Sequence, residues 1–143
     1  MPIPSKIDLK KITSEEWQSD GPSPGGLLEG KTIGTDITLI RYVTDIVGEG
    51  PKLHVHPYDE IFTIQEGRAR FTVGSQTIDA KAGDVLLGPA NVPHGYQNLG
   101  PGRLDSLDIH LSPEWIQYDL AESWDESGLL ISSKSKVKKN EGK

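Results

Sequence analysis

Between residues 32 and 111 the chain is cut into short runs of Ile, Val, Thr, Tyr and Phe by Gly, Pro and Asp at close intervals. That punctuation predicts an all-β sandwich or barrel. Strands are expected over Thr35–Val43, Lys52–His56, Glu60–Gln65, Arg68–Val73, Gln76–Asp79, Asp84–Leu87, His94–Asn98 and Leu104–Leu111. Glu66-Gly67 reads as a tight hairpin in which glycine takes the positive φ the turn requires. Gly74-Ser75, Ala82-Gly83-Asp84 and Gly100-Pro101-Gly102 read as further turns.

The flanks follow different patterns. Residues 1–31 hold only isolated apolar positions, Ile3, Ile7, Leu9 and Ile12, which predicts an arm that packs on the domain or on a partner subunit. Thr13–Trp17 can cap one helical turn, and residues 20–26, rich in Gly and Pro, are expected to be loop. After Leu111, Ser112-Pro113-Glu114 supplies a capping hydroxyl, a proline at the first helical position and an acid near the positive helix end. Trp115, Ile116, Leu120 and Trp124 follow at helical spacing, so residues 113 to 124 are expected to form a short amphipathic C-terminal helix. The division is then 1–31 arm, 32–111 β-barrel domain, 112–131 helix and extension, and 132–143 a disordered Lys-rich tail.

A chain of 143 residues suits one domain with a real core. The net charge of −6 is unevenly spread: the last twelve residues hold five Lys and one Glu, leaving ten positive against twenty negative groups in the body. An acidic body argues against nucleic-acid binding, which rests on neutralising phosphates. The absence of Cys removes disulfides, thiolate metal sites and thiol nucleophiles, and fits a reducing compartment. No apolar run approaches the length of a membrane span, and the first residues lack the apolar core of a signal peptide. A cytoplasmic protein is the expectation.

Candidate chemistry is concentrated in three of the four histidines. On a strand, His54 and His56 share one face about 7 Å apart at the backbone, with Val55 turned toward packing. Glu60 has the same parity, and His94 comes from a later strand after Pro93. Three neutral imidazoles and a carboxylate suit a first-row divalent ion and leave up to two octahedral positions open.

At these residues the chain resembles a cupin. Gly48, five residues, His54-Val-His56, three residues, Glu60, six residues and Gly67 follow the first cupin motif. Gly83, five residues, Pro89-Ala-Asn91, two residues, His94, three residues and Asn98 follow the second. Asn91 stands where that motif has glycine, a mild change because Asn tolerates left-handed geometry better than other side chains. The resemblance covers residues 32 to 111 and implies a double-stranded β-helix, the cupin jelly-roll barrel. It also implies one divalent transition metal per chain on His54, His56, Glu60 and His94, Fe(II) or Mn(II) first and Ni(II), Zn(II), Co(II) or Cu(II) as alternatives. A homodimer is expected, since small jelly rolls leave sheet edges and an apolar face to cover.

Other positions depend on which way their strands face. Alternation sets Asp108 and His110 opposite Leu107, Ile109 and Leu111. Facing inward, His110 would join Glu60 as a catalytic proton-transfer residue; facing outward, the commoner case, it would be a surface histidine. Phe62 and Ile64 share the parity of Glu60, and Tyr96 and Asn98 that of His94, so all four are expected to line the pocket. Either Arg41 or Tyr42 faces inward, and an inward Arg would bind an anionic substrate. Tyr58 and Asp59 read as turn residues at the rim. Cupins include many activities, so function stays open. The leading expectation is a metal-dependent, dioxygenase-like oxidoreductase acting on a small organic substrate. The alternatives are a redox-neutral isomerase or lyase, and a non-catalytic ligand-binding cupin.

Overall fold

In a computed structural model, which describes residues 1–3, 5, 7–124 and 130–136, the chain forms α1 (Ser14–Trp17), β1 (Gln18–Ser19), β2 (Gly25–Leu28), α2 (Gly30–Ile33), β3 (Thr38–Thr44), β4 (His54–Val55) and β5 (Glu60–Glu66). These are followed by β6 (Arg68–Val73), β7 (Gln76–Lys81), β8 (Val85–Gly88), β9 (His94–Asn98), β10 (Leu104–His110), β11 (Tyr118–Trp124) and β12 (Leu130–Lys136). Two six-stranded sheets result, in the orders β1-β2-β3-β10-β5-β8 and β12-β11-β4-β9-β6-β7. Every pairing among the described residues is antiparallel. This is the two-sheet β architecture that the strand punctuation predicts, and the eight expected strands all form.

Strand alternation places the core. In β10, Leu104, Ser106, Asp108 and His110 are buried and the residues between them are half-buried; in β5, Glu60, Phe62 and Ile64 are buried. Phe62, Ile64, Ala69, Phe71, Ala80, Tyr96 and Leu104 close the core between the sheets. Their burial supplies roughly 1.5–3 kcal/mol for each large side chain. The site described below sits at one end of this core.

Four local expectations are corrected. Gly67 does take a positive φ of 88°, but β5 and β6 lie in different sheets, so it forms a corner and not a hairpin. A side chain there would also strike the Arg103 carbonyl oxygen. Gly25 and Gly26, expected in loop, belong to β2, which pairs with β3 and makes part of the arm a sheet strand. Residues 118–124, expected as helix, form β11 against β4. Pro113 to Gln117 run as an irregular connection without a helical turn. Polar contacts to distant segments outweigh the local helical signal here: Lys31 N–H donates to the Pro113 carbonyl at 2.9 Å and Trp115 N–H to Glu29 Oε2 at 2.9 Å. Residues 130–136 pair as β12 with β11, against the disorder expected from Ser132; residues 137–143 lie outside the described residues. The helical turn at Thr13 forms as expected, with Glu16 Oε1 accepting the Thr13 N–H at 2.7 Å.

Candidate metal centre

Strand register assembles the site from both sheets. Glu60 on β5 lies directly across from His110 on β10, and His54 on β4 directly across from His94 on β9. His56 follows β4 immediately. Asn91 accepts the left-handed geometry required where the motif has glycine, with φ 64°. Gly88 is the partner of Glu60 on β8; a Cβ there would sit 3.2 Å from His94 Nδ1, so glycine leaves room for that ring.

The structure brings His54, His56, Glu60 and His94 together, all buried, with their ligand atoms within 4.8 Å of one another. Each histidine is oriented through Nδ1. His54 Nδ1 lies 2.5 Å from the Lys52 carbonyl, His56 Nδ1 2.6 Å from the Ile116 carbonyl and His94 Nδ1 3.2 Å from the Val92 carbonyl. A carbonyl only accepts, so each Nδ1 carries the proton and each Nε2 presents a lone pair. His56 Nε2 and His94 Nε2 then stand 3.1 and 3.0 Å from the same carboxylate oxygen, Glu60 Oε1. His56 Nε2 is buried with no hydrogen-bond partner. Acceptors converge on one point and no donor lies among them, which is the arrangement a cation satisfies. The residues therefore fit a divalent transition-metal ion of the kind imidazole and carboxylate ligands favour.

Burial, with the neighbouring His94 and His56, pushes the His54 imidazole down to about 3, so it stays neutral and ready to ligate. Burial would raise the Glu60 carboxyl, but His110, hydrogen-bonded to it, outweighs burial and holds the carboxyl well below its usual range.

His110 faces inward, against the expected outward orientation of a surface histidine. It is 2 % exposed, and its Nε2–H donates to Glu60 Oε2 at 3.0 Å. Its Nδ1 then accepts from Tyr58 Oη at 2.7 Å, and Tyr58 Oη accepts from Ile116 N–H at 3.2 Å. Burial lowers the His110 imidazole, in keeping with a neutral ring donating to a carboxylate.

Tyr58 is therefore no rim residue: it is buried and stacks on His56 at 5.0 Å. Its parity with His54, His56 and Glu60 was the available signal. Asp59 is a turn residue as expected, accepting the Ala90 N–H. Ile116 carried no signal at all, because only its main chain acts.

A cavity of about 230 Å³ adjoins the cluster, lined by Glu60 and His54 and by Tyr42, Tyr96, Asp108 and Trp115 among others. Tyr96 lines it as expected. Phe62 and Ile64 are core instead, Phe62 packing edge-on against His94 at 5.2 Å. Asn98 ties down the Gly100–Gly102 turn through Gly100 N–H and the Gly102 carbonyl. Of the β3 pair, Tyr42 faces inward. Arg41 is already paired, with Asp105 at 2.8 Å and Asp20 at 2.7 Å. Asp108 accepts from Tyr96 Oη at 2.7 Å and from Ser106 Oγ. Burial and the nearby Glu60 charge raise its carboxyl well above the usual range.

Two facing antiparallel sheets with a His/Glu cluster between them define a double-stranded β-helix with a site able to hold a metal. Residues 41–110 match the family described as "Cupin domain", and this segment is a cupin domain. The polyketide synthase CurC of Streptomyces cyaneus is 29% identical over 111 residues, 77% of this chain and 70% of that protein. An uncharacterised protein of Methanocaldococcus jannaschii is 36% identical over 55 residues, 38% of this chain and 44% of that protein. Among solved structures, oxalate decarboxylase of Lactobacillus farciminis superposes with a TM-score of 0.61 at 22% identity over 70% of this chain, and that of Bacillus subtilis, which has Mn(II) centres, with 0.63 at 22% over 72%. This chain spans only about a third of those two enzymes, 32% and 29%. A Klebsiella pneumoniae protein with a double-stranded β-helix domain superposes with a TM-score of 0.57 at 21% identity, covering 74% of this chain and 92% of its own length. These likenesses show the fold. No helix among the described residues is long and apolar enough to cross a membrane.

Proposed function

We propose that this protein is a metal-dependent enzyme that oxidises a small organic substrate, with His54, His56, Glu60 and His94 holding one divalent ion per chain. The metal-binding part of the reading is carried by the convergence of His56 Nε2 and His94 Nε2 on Glu60 Oε1 with no donor between them. A bound Fe(II) or Mn(II) would supply redox chemistry toward O₂ and polarise a substrate oxygen.

The chain's own groups do the rest. The cavity wall of Tyr42, Tyr96 and Trp115 takes an apolar ring and excludes water, while Asp108 offers a carboxyl to a substrate hydroxyl. His110 bridges Tyr58 Oη and Glu60 Oε2, so it can relay a proton between them, taking one at Nδ1 as its Nε2–H passes to Glu60. That pair favours a second reading, redox-neutral isomerisation or elimination through an enolate. The Streptomyces relative, named as a polyketide synthase, supports substrates that are enolisable or phenolic in either case.

Oxygen-electrode assays on protein loaded with Fe(II) or Mn(II), using naphthols and β-diketones, separate the readings. Oxygen uptake matched to product supports oxidation; product without uptake supports the redox-neutral reading. Ligand-induced thermal stabilisation without turnover would overturn both in favour of a binding protein.

A further inference from the structure

We propose that Trp115 divides one elongated binding site into two chambers, so that the substrate is a long, flat aromatic molecule whose far end lies beyond that residue. This rests on the reading of the inner cavity as the substrate site. A second cavity, of about 340 Å³, shares three wall residues with the inner one: Ile40, Tyr42 and Trp115. Its remaining wall comes from the arm and the rest of β3. Register explains the continuity, because Gly25 lies across from Tyr42 and Leu27 across from Ile40, so β2 prolongs the inward face of β3.

The space beside Tyr42 is enforced by the backbone. Gly25 has φ 126°, and a Cβ on it would sit 2.7 Å from the Arg41 carbonyl oxygen, so no ordinary side chain can fill that position without strain. Arg41 borders this chamber, yet its guanidinium is bound by Asp105 and Asp20 and offers no free charge to an anion. Leu27, Ile40, Tyr42 and Trp115 suit an apolar ring system. Size agrees: the inner cavity alone falls short of the ~300–1,000 Å³ common for small-molecule sites, and the two together lie within it.

Trp115 is anchored at the junction of the two chambers. Its N–H donates to Glu29 Oε2 at 2.9 Å and its indole N–H to Gln117 Oε1 at 3.3 Å. It acts as a specificity-determining residue for length.

The test is equilibrium binding of naphthol and of the linear four-ring daunomycinone to protein as purified, with metal content checked to be equal in every variant. Ser23 is an exposed residue bordering the outer chamber, so Ser23→Trp should fill the chamber without disturbing the core. The ratio of daunomycinone to naphthol affinity should fall at least tenfold in Ser23→Trp and rise in Trp115→Ala. A ratio within twofold of the parent in Ser23→Trp, or a fall in Trp115→Ala, would overturn the two-chamber proposal. Failure of naphthol to bind the parent protein strikes instead at the inner cavity as substrate site.

Discussion

The Ile116 carbonyl accepts the Nδ1 proton of His56 at 2.6 Å, across sixty residues of sequence. The N–H of the same residue reaches Tyr58 Oη, which in turn donates to His110. One stretch of irregular backbone thus orients a candidate metal ligand and a candidate proton carrier together. A helix over 113–124 would have drawn these peptide groups toward its own ladder.

That backbone is held from outside by Glu29, through Trp115 N–H. Glu29→Ala should loosen it and weaken metal affinity by about tenfold, the low end of outer-shell effects. Calorimetric titration with Mn(II) checks this, and an unchanged affinity would show that the connection is held by its other contacts.

His110→Ala should keep the metal, because His110 bonds to Glu60 and stands outside the four-ligand set. We expect metal content equal to the parent and turnover reduced by roughly 10²-fold or more, in the range of lost general acid–base catalysis. Loss of metal in His110→Ala with retention in His94→Ala would mean that the ligand assignment has the wrong third histidine.

Acid should destabilise the metal-free protein. His54 sits at about 3 folded against about 6.5 unfolded, so between those values the unfolded chain binds a proton that the folded one refuses. Stability therefore falls as pH drops through that window, and His110, also lowered, acts in the same sense. Asp108 opposes them: its raised carboxyl favours the folded state at low pH and loses that advantage as pH rises above the ordinary carboxylate range. Thermal melts from pH 6.5 to 4.5 should show a falling Tm, and Asp108→Asn should make the fall steeper. A flat profile in both proteins would contradict these buried states.

One row of the outward face of the first sheet is apolar where an antiparallel sheet facing water alternates to polar, although Arg41 and Asp105 sit on the same face. Leu28, Leu39, Ile109, Ile61 and Leu87 form one cross-strand row over five strands, and Val85 beside it is 66% exposed. A second copy of the chain is the proposed cover. Light scattering should return twice 15.6 kDa, and a Val85→Lys, Leu87→Lys double variant should return the single mass. A 15.6 kDa particle for the parent at micromolar concentration would refute the homodimer.

Much of this was legible in sequence for a physical reason: a period of two survives in any strand with one buried face. Glu60, Phe62 and Ile64, or His54 and His56, share a face by parity alone. Parity does not say which face is inside when both are mixed, and so the outward expectation for His110 fails. It also could not separate cavity wall from core, hence the misplacement of Phe62, Ile64 and Asn98. The helix expected at 113–124 failed because capping residues and spacing are local signals, while Glu29 and Thr38, which grip that segment, are far away in sequence. Main-chain roles such as that of Ile116 leave no mark on residue identity.

We propose that His54, His56, Glu60 and His94 hold one metal ion. The most direct test is the metal stoichiometry of the purified protein and of His56→Ala, measured by elemental analysis after equilibration with Mn(II), Fe(II) or Zn(II). One ion per chain is expected in the parent, and little or none in a His56→Ala protein that keeps its β-rich circular dichroism, since the apolar core between the sheets holds the fold. Full metal content in folded His56→Ala, or no metal in the parent under any of the three ions, would contradict the proposal.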